Sequence, residues 1–330
     1  MAAADKLKTL IVSYGEGDDA RFFATAMQIA AAEARQGHAS FAQELKNLIE
    51  KAKKERSSLT ISGIAKTITI STPKRELQEL IEVFQPRIKL KDLILSSETK
   101  ETLDKVIAEQ AKWELLRKFN LNPIRKILLT GPPGTGKTMT AQALAGELQI
   151  PVYIVRLDGL ISKYMGESIS KLRLIFDAMQ DHRAVYLFDE FDSIGSHRDI
   201  SSDVGEIKRV LNSFLINIEK DESNSIIICA TNLPQSLDKA LFRRFDEIIN
   251  YSLPNKDQIE LIIKIHTNTY TFSKRPTYKK LSEIAIGLNH SEIVKACEDT
   301  LKEMILTEKK KLSFDYLEQS LEKRKKVYAE

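Results

Sequence analysis

Gly131-Pro132-Pro133-Gly134-Thr135-Gly136-Lys137-Thr138 decides how the rest of the chain is read. It satisfies the phosphate-loop pattern Gly-x-x-x-x-Gly-Lys-Thr at every specified position. The apolar run Lys126-Ile127-Leu128-Leu129-Thr130 precedes it and the helix-like stretch Met139 to Leu148 comes after it, so it reads as the turn between a strand and a helix. Glycines let the backbone bend tightly and aim successive N–H groups at phosphate oxygens, and the positive end of the next helix adds to that attraction. Lys137 is placed to reach β- and γ-phosphates and Thr138 to hold Mg²⁺ through its hydroxyl.

Working outward, strand-like runs alternate with helical ones. Strands are expected at Ile127 to Thr130, Val152 to Val155, Val185 to Phe188, Ser225 to Ala230 and Ile248 to Tyr251, with helices that include Glu167 to Met179 and Val204 to Ile218. Nearly all-apolar strands alternating with helices predict a parallel sheet covered on both faces. After Leu253-Pro254-Asn255 the pattern is helical to the end. Asp189-Glu190 closes the strand Val185-Tyr186-Leu187-Phe188, which puts two carboxylates at the carboxyl end of a strand, where open α/β sheets bind ligands. Asp189 suits Mg²⁺, and Glu190 suits a base for an attacking water.

Together with the motifs around them, residues ~91–305 resemble the ATPase module of the AAA+ family, in its AAA clade of protein-remodelling motors. Phe188-Asp189-Glu190-Phe191-Asp192-Ser193-Ile194 resembles that clade's extended Walker B, and Ser162-Lys163-Tyr164-Met165-Gly166-Glu167-Ser168 its first pore loop. Ala230-Thr231-Asn232 resembles its sensor 1. Leu237-Asp238-Lys239-Ala240-Leu241-Phe242-Arg243-Arg244-Phe245-Asp246 is similar to its second region of homology, with contiguous arginines as in the meiotic, microtubule-severing and endosomal-disassembly branch.

The resemblance implies a P-loop NTPase fold: a parallel five-stranded αβα sandwich with a C-terminal helical lid, plus a small N-terminal helical unit. It implies ATP with Mg²⁺ as ligands, held at Gly131, Pro132, Pro133, Gly134, Thr135, Gly136, Lys137, Thr138 and Met139, with Leu93 and Ile94 beside the adenine and Thr138 and Asp189 at the metal. Glu190, Lys137 and Asn232 become catalytic, and Arg243 and Arg244 become fingers that act across a homo-oligomeric, hexameric ring. Lys163, Tyr164 and Met165 would grip a polypeptide substrate, an exposed aromatic and a thioether being suited to sequence-independent contact. His197 to Val204 falls where a second pore loop would lie. In the lid, Gly287-Leu288-Asn289-His290-Ser291-Glu292-Ile293 matches a Gly-x-Ser-x-Ala-Asp-Ile-like signature, with His290 among the departures. The layout is also similar to stand-alone bacterial AAA proteins encoded beside a subtilisin-like serine protease, which makes such a protease a candidate partner.

Composition bounds the alternatives. The 330 residues, 42% of them apolar, are enough for about two or three structural units. A net charge of +4 against 29% charged residues leaves no basic footprint for nucleic acid or an anionic membrane. Two cysteines, Cys229 and Cys297, form no disulfide or zinc pattern, and no apolar stretch reaches the ~20 residues of a membrane span, so a cytoplasmic location is expected.

Helices are expected over Asp18 to Gln36 and from Phe41 to Ala52, making residues 1–57 a helical unit. Residues 58–90 read as a linker in which Arg75 to Phe84 is a short helix. The ATPase core then spans 91–254 and the lid 255–330. Two further functions compete with a threading motor: a nucleic-acid-acting switch, which the diffuse charge and Tyr164-Met165 argue against, and an ATP-gated scaffold that activates a partner enzyme.

Overall fold

The computed structural model describes residues 79–160, 167–195, 204–273 and 277–328, residue 77, and scattered residues between 25 and 49. The chain divides into two compact units, Met1–Ser71 and Thr72–Glu330. In the first, the described residues 25–30, 32, 41–43 and 45–49 are helical, as the apolar spacing predicts. The second unit carries the loop.

Its centre is a six-stranded sheet: β1 (Ile81–Phe84), β2 (Lys126–Thr130), β3 (Val152–Val155), β4 (Val185–Phe188), β5 (Ile226–Thr231) and β6 (Glu247–Asn250), in the order β1-β3-β4-β5-β2-β6. Strands β2 to β6 are parallel, and β1 joins β3 antiparallel, with Ile81 opposite Val155 and Phe84 opposite Val152. The five expected strands are present within a residue or so of their predicted limits. The sixth corrects the sequence reading. Arg75 to Phe84, expected as a helix, ends instead in an edge strand. Four residues with the pattern Ile-Glu-Val-Phe carry too little periodicity to decide, and the pairing partner lies some 70 residues away.

Among the described residues, helices of eight residues or more are α1 (Ser97–Ala111), α2 (Lys137–Leu148), α3 (Glu167–Asp181), α4 (Val204–Lys220), α5 (Lys256–Thr267), α6 (Tyr278–Ala285), α7 (His290–Leu306) and α8 (Phe314–Tyr328). Side chains alternate across a strand, so the sheet feeds two cores. Tyr186, Phe188, Ile227 and Cys229 pack against Leu172, Ile175 and Phe176 of α3 and Val210 and Phe214 of α4. Val185, Leu187, Ile226 and Ile228 face the other way, onto Leu103 and Val106 of α1 and Ala141, Leu144 and Ala145 of α2. Small residues on α2 let it lie close to the sheet, and Gly146 lets it approach the chain at Ile88, whose carbonyl stands where a Cβ would go. Helices α5 to α8 build a third core around Ile259, Ile263, Leu281, Ile293, Leu317 and Leu321, and Ile94 from the segment before α1 packs against it.

Candidate functional site

Parallel strands place their carboxyl ends on one edge of the sheet, so the segments leaving β2, β4 and β5 converge there. The loop after β2 needs its glycines. Gly131 has φ +138 and the Tyr251 carbonyl stands where its Cβ would go; Gly134 has φ +71; and Gly136, at φ +98, caps α2. Thr135 closes the turn with a hydrogen bond from its hydroxyl to the Pro132 carbonyl at 2.8 Å, and Thr140 donates to the Gly136 carbonyl at 3.0 Å. Tyr251, just past β6, donates its hydroxyl to Thr140 at 2.7 Å, which ties the first turn of α2 to the sheet. Met139 is 45% exposed.

Lys137 folds back over the loop. Its ammonium donates to the carbonyls of Gly131 (2.7 Å) and Pro132 (2.8 Å) and to Oδ1 of Asn232 (2.8 Å), the residue directly after β5. Burial pulls its pKa down, while Asp189 and Asp192 oppose that shift. Thr138 donates its hydroxyl to Asp189 Oδ2 at 2.6 Å. A hydroxyl and a carboxylate in contact, beside a loop shaped for phosphates, are hard oxygen donors of the kind Mg²⁺ takes.

Glu190 is exposed and sits in the left-handed region at φ +49. Its conformation is imposed from both sides: its N–H donates to Asp189 Oδ1 at 2.9 Å, and the Phe191 N–H donates to the Ala230 carbonyl at 2.8 Å. Phe191 itself is fully buried, 4.8 Å from the Phe214 ring centroid to centroid. Asp192 was not singled out in the sequence, yet its Oδ1 accepts from the Thr231 hydroxyl (2.9 Å) and the Asn232 N–H (3.2 Å), holding the end of β5 where Asn232 meets Lys137. Its place three residues after Asp189 is the signal that could have found it.

The two arginines lie elsewhere. Arg243 and Arg244 come after the helical turn Lys239–Phe242 and precede β6, whereas the loop lies beyond β2, and these strands are parallel neighbours. They therefore stand at the opposite edge of the sheet, about 13 Å away along the four residues of β6. Arg243 is exposed; Arg244 donates to the Ala240 carbonyl at 3.1 Å and pairs with Glu219 at 3.3 Å. Asp246 fixes this segment, accepting at Oδ2 from the N–H groups of Arg125 (3.0 Å) and Lys126 (2.9 Å) at the start of β2. Leu93 and Ile94 lie partly buried between the sheet unit's core and the lid's. Lys163, Tyr164 and Met165, and His197 to Asp203 of the second expected pore loop, lie outside the described residues.

A family model described as ATPase family associated with various cellular activities (AAA) matches residues 127–253, from β2 through the end of the sheet. An uncharacterized AAA family ATPase of Sinorhizobium fredii, y4kL, is 32% identical over 312 residues, covering 94% of this chain and 92% of that protein. This chain belongs to the AAA ATPase family. The ATPase binds and hydrolyses ATP, as its family does, and AAA ATPases generally assemble into oligomeric rings. It is also similar to a proteasome-activating nucleotidase of Methanothermobacter thermautotrophicus, 33% identical over 62% of the chain and 52% of that protein. A third relative is an ATP-dependent zinc metalloprotease FtsH of Rickettsia bellii, 29% identical over 72% of the chain and 38% of that protein. The chain thus spans only about half or less of these two. Among the described residues of the ATPase, no helix is long and apolar enough to cross a membrane.

Proposed function

We propose that the ATPase works as a homo-oligomeric ring, hexameric by family resemblance, in which each subunit completes its neighbour's Mg-ATP site, and that the hydrolysis remodels or threads a protein substrate. The observation that carries the reading is the separation of Arg243 and Arg244 from their own loop by the length of β6. A finger at that edge serves only a site on another chain, and arginine fingers accelerate phosphoryl transfer ~10³–10⁵-fold in related systems.

In this reading Lys137 exchanges its contacts with the Gly131 and Pro132 carbonyls and Asn232 for β- and γ-phosphate oxygens, which leaves Asn232 free to orient water. Thr138 and Asp189 would hold Mg²⁺, whose charge would offset that of the phosphates. Water attacks the γ-phosphorus, Glu190 takes its proton, and the bond to the β-phosphate oxygen breaks to release ADP. The exposure of Glu190 at the carboxyl end of β4 suits a base that must reach a water. A protein substrate is supported by the resemblance to the nucleotidase and the metalloprotease, whose names place them with proteolysis, and by the aromatic Tyr164-Met165 pair in the sequence.

Mixing two inactive variants tests the ring. Arg243→Ala/Arg244→Ala chains keep intact loops, and Glu190→Gln chains keep intact arginines. Recovery of ATP turnover on mixing is expected, because a Glu190→Gln neighbour supplies the missing fingers. No recovery, with both variants folded and mixed oligomers detected, would sink the proposal of shared sites.

A further inference from the structure

The two adjacent arginines at the amino edge of the sheet are not equivalent. Leu241 and Phe245 are buried in the core that α3 and α4 share with the sheet, and Phe242 packs against it. Of residues 241 to 245 only Arg243 is exposed, and among the described residues it has no hydrogen bond or ion pair. Arg244 is committed within its own chain. Its backbone N–H donates to the Leu241 carbonyl at 2.9 Å, one arm of its guanidinium to the Ala240 carbonyl at 3.1 Å, and the other to Glu219, in the last turn of α4, at 3.3 Å.

The segment is also clamped from behind. Asp246 and Lys126 hold each other reciprocally: the Asp246 N–H donates to the Lys126 carbonyl at 2.8 Å, and the Lys126 N–H donates to Asp246 Oδ2 at 2.9 Å, beside the Arg125 N–H at 3.0 Å. Arg125 is fixed in turn by its guanidinium, which pairs with the Asp221 carboxylate, 1% exposed, and donates to the Asp221 carbonyl. A guanidinium that must reach the γ-phosphate of another chain needs its fork unoccupied, because phosphate takes two parallel N–H donors. Arg244 would have to leave two acceptors to do so. Arg243 leaves none.

We propose that Arg243 alone enters the neighbour's site, and that Arg244 and Asp246 are positioning residues, Arg244 tying the finger turn to α4 and Asp246 tying it to β2. The inference rests on the ring reading above and deepens it, dividing the arginine pair into one finger and one brace.

The test measures kcat and the ATP Kd of the full chain as Arg243→Ala, Arg244→Ala, Arg244→Lys and Asp246→Ala, each alone and mixed in equal amounts with Glu190→Gln or Arg243→Ala chains. Arg243→Ala is expected to lower kcat about 10³-fold with the ATP Kd within about twofold of wild type. Arg244→Ala should lower kcat only about tenfold, and Arg244→Lys, which keeps a donor for Ala240 and Glu219, should recover most of that loss. Asp246→Ala chains should lose the ability to give a finger while keeping the ability to receive one. Mixed with Glu190→Gln chains, whose arginines are intact, they should recover turnover; mixed with Arg243→Ala chains they should not. An Arg244→Ala loss as large as that of Arg243→Ala, or an Arg244→Lys chain no better than Arg244→Ala, would overturn the division. So would Asp246→Ala chains that behave alike in both mixtures, the mark of a fold defect or of no role. If neither arginine variant recovers with Glu190→Gln chains in detected mixed oligomers, the shared-site reading itself fails, whereas recovery with the ranking reversed refutes this inference alone.

Discussion

Single residues here are constrained either by backbone geometry or by a partner far along the chain. Gly131 belongs to the first kind: at φ +138, with the Tyr251 carbonyl against it, an added methyl must displace β6 or the loop. Gly131→Ala should abolish ATP binding and lower the unfolding midpoint, and binding at wild-type strength would contradict that constraint. Asp192 belongs to the second kind. Asp192→Ala removes acceptors from Thr231 and Asn232, so ATP binding should survive while kcat falls at least tenfold, the difference being read by comparing Kd with turnover. The first kind was legible in the sequence because phosphate chemistry dictates Gly, Lys and Thr at fixed offsets. Asp192 and Tyr251 were not, since their partners Thr231 and Thr140 are 39 and 111 positions distant and no local pattern announces them.

Among elements, the apolar runs of β4 and β5 were legible, as were α3, by its apolar face, and α2, by the phosphate-loop motif that leads into it. β1 was not, because an edge strand of four residues owes its conformation to pairing with β3. Its stabilisation should reside in burial rather than charge. Ile81 is 3% exposed, so Ile81→Ala is expected to cost about 2–5 kcal/mol. The Glu82–Arg156 ion pair is largely exposed, and Glu82→Ala should cost under ~1 kcal/mol; denaturant unfolding distinguishes the two. A similar contrast applies to α2. Gly146→Ala would improve helix propensity by about 1 kcal/mol on an open surface, but the Ile88 carbonyl occupies the space, so the substitution should destabilise the protein.

On the scale of the whole molecule, the lid meets the ATPase core at the loop of residues 131–138, where the Ser291 N–H donates to the Gly134 carbonyl at 3.1 Å. Its own integrity depends on a buried carboxylate, Glu292, paired with Arg324 of α8 at 2.6 Å and with Lys295 at 2.9 Å, while Arg324 also bonds Asp299. Removing one partner leaves the Glu292 charge partly uncompensated, and Arg324→Ala is expected to cost up to about 3–5 kcal/mol and to speed amide exchange in α7 and α8. Unchanged exchange would assign α8 no part in supporting α7. At the other edge of the sheet, Asp246 ties the Arg243-Arg244 segment to the first residues of β2, and the phosphate loop begins where β2 ends. One short, hydrogen-bonded strand thus joins the loop to the segment that the proposed ring would offer to the next subunit. In that ring, a shift of the loop on nucleotide binding or release would bear on the neighbouring site through this strand.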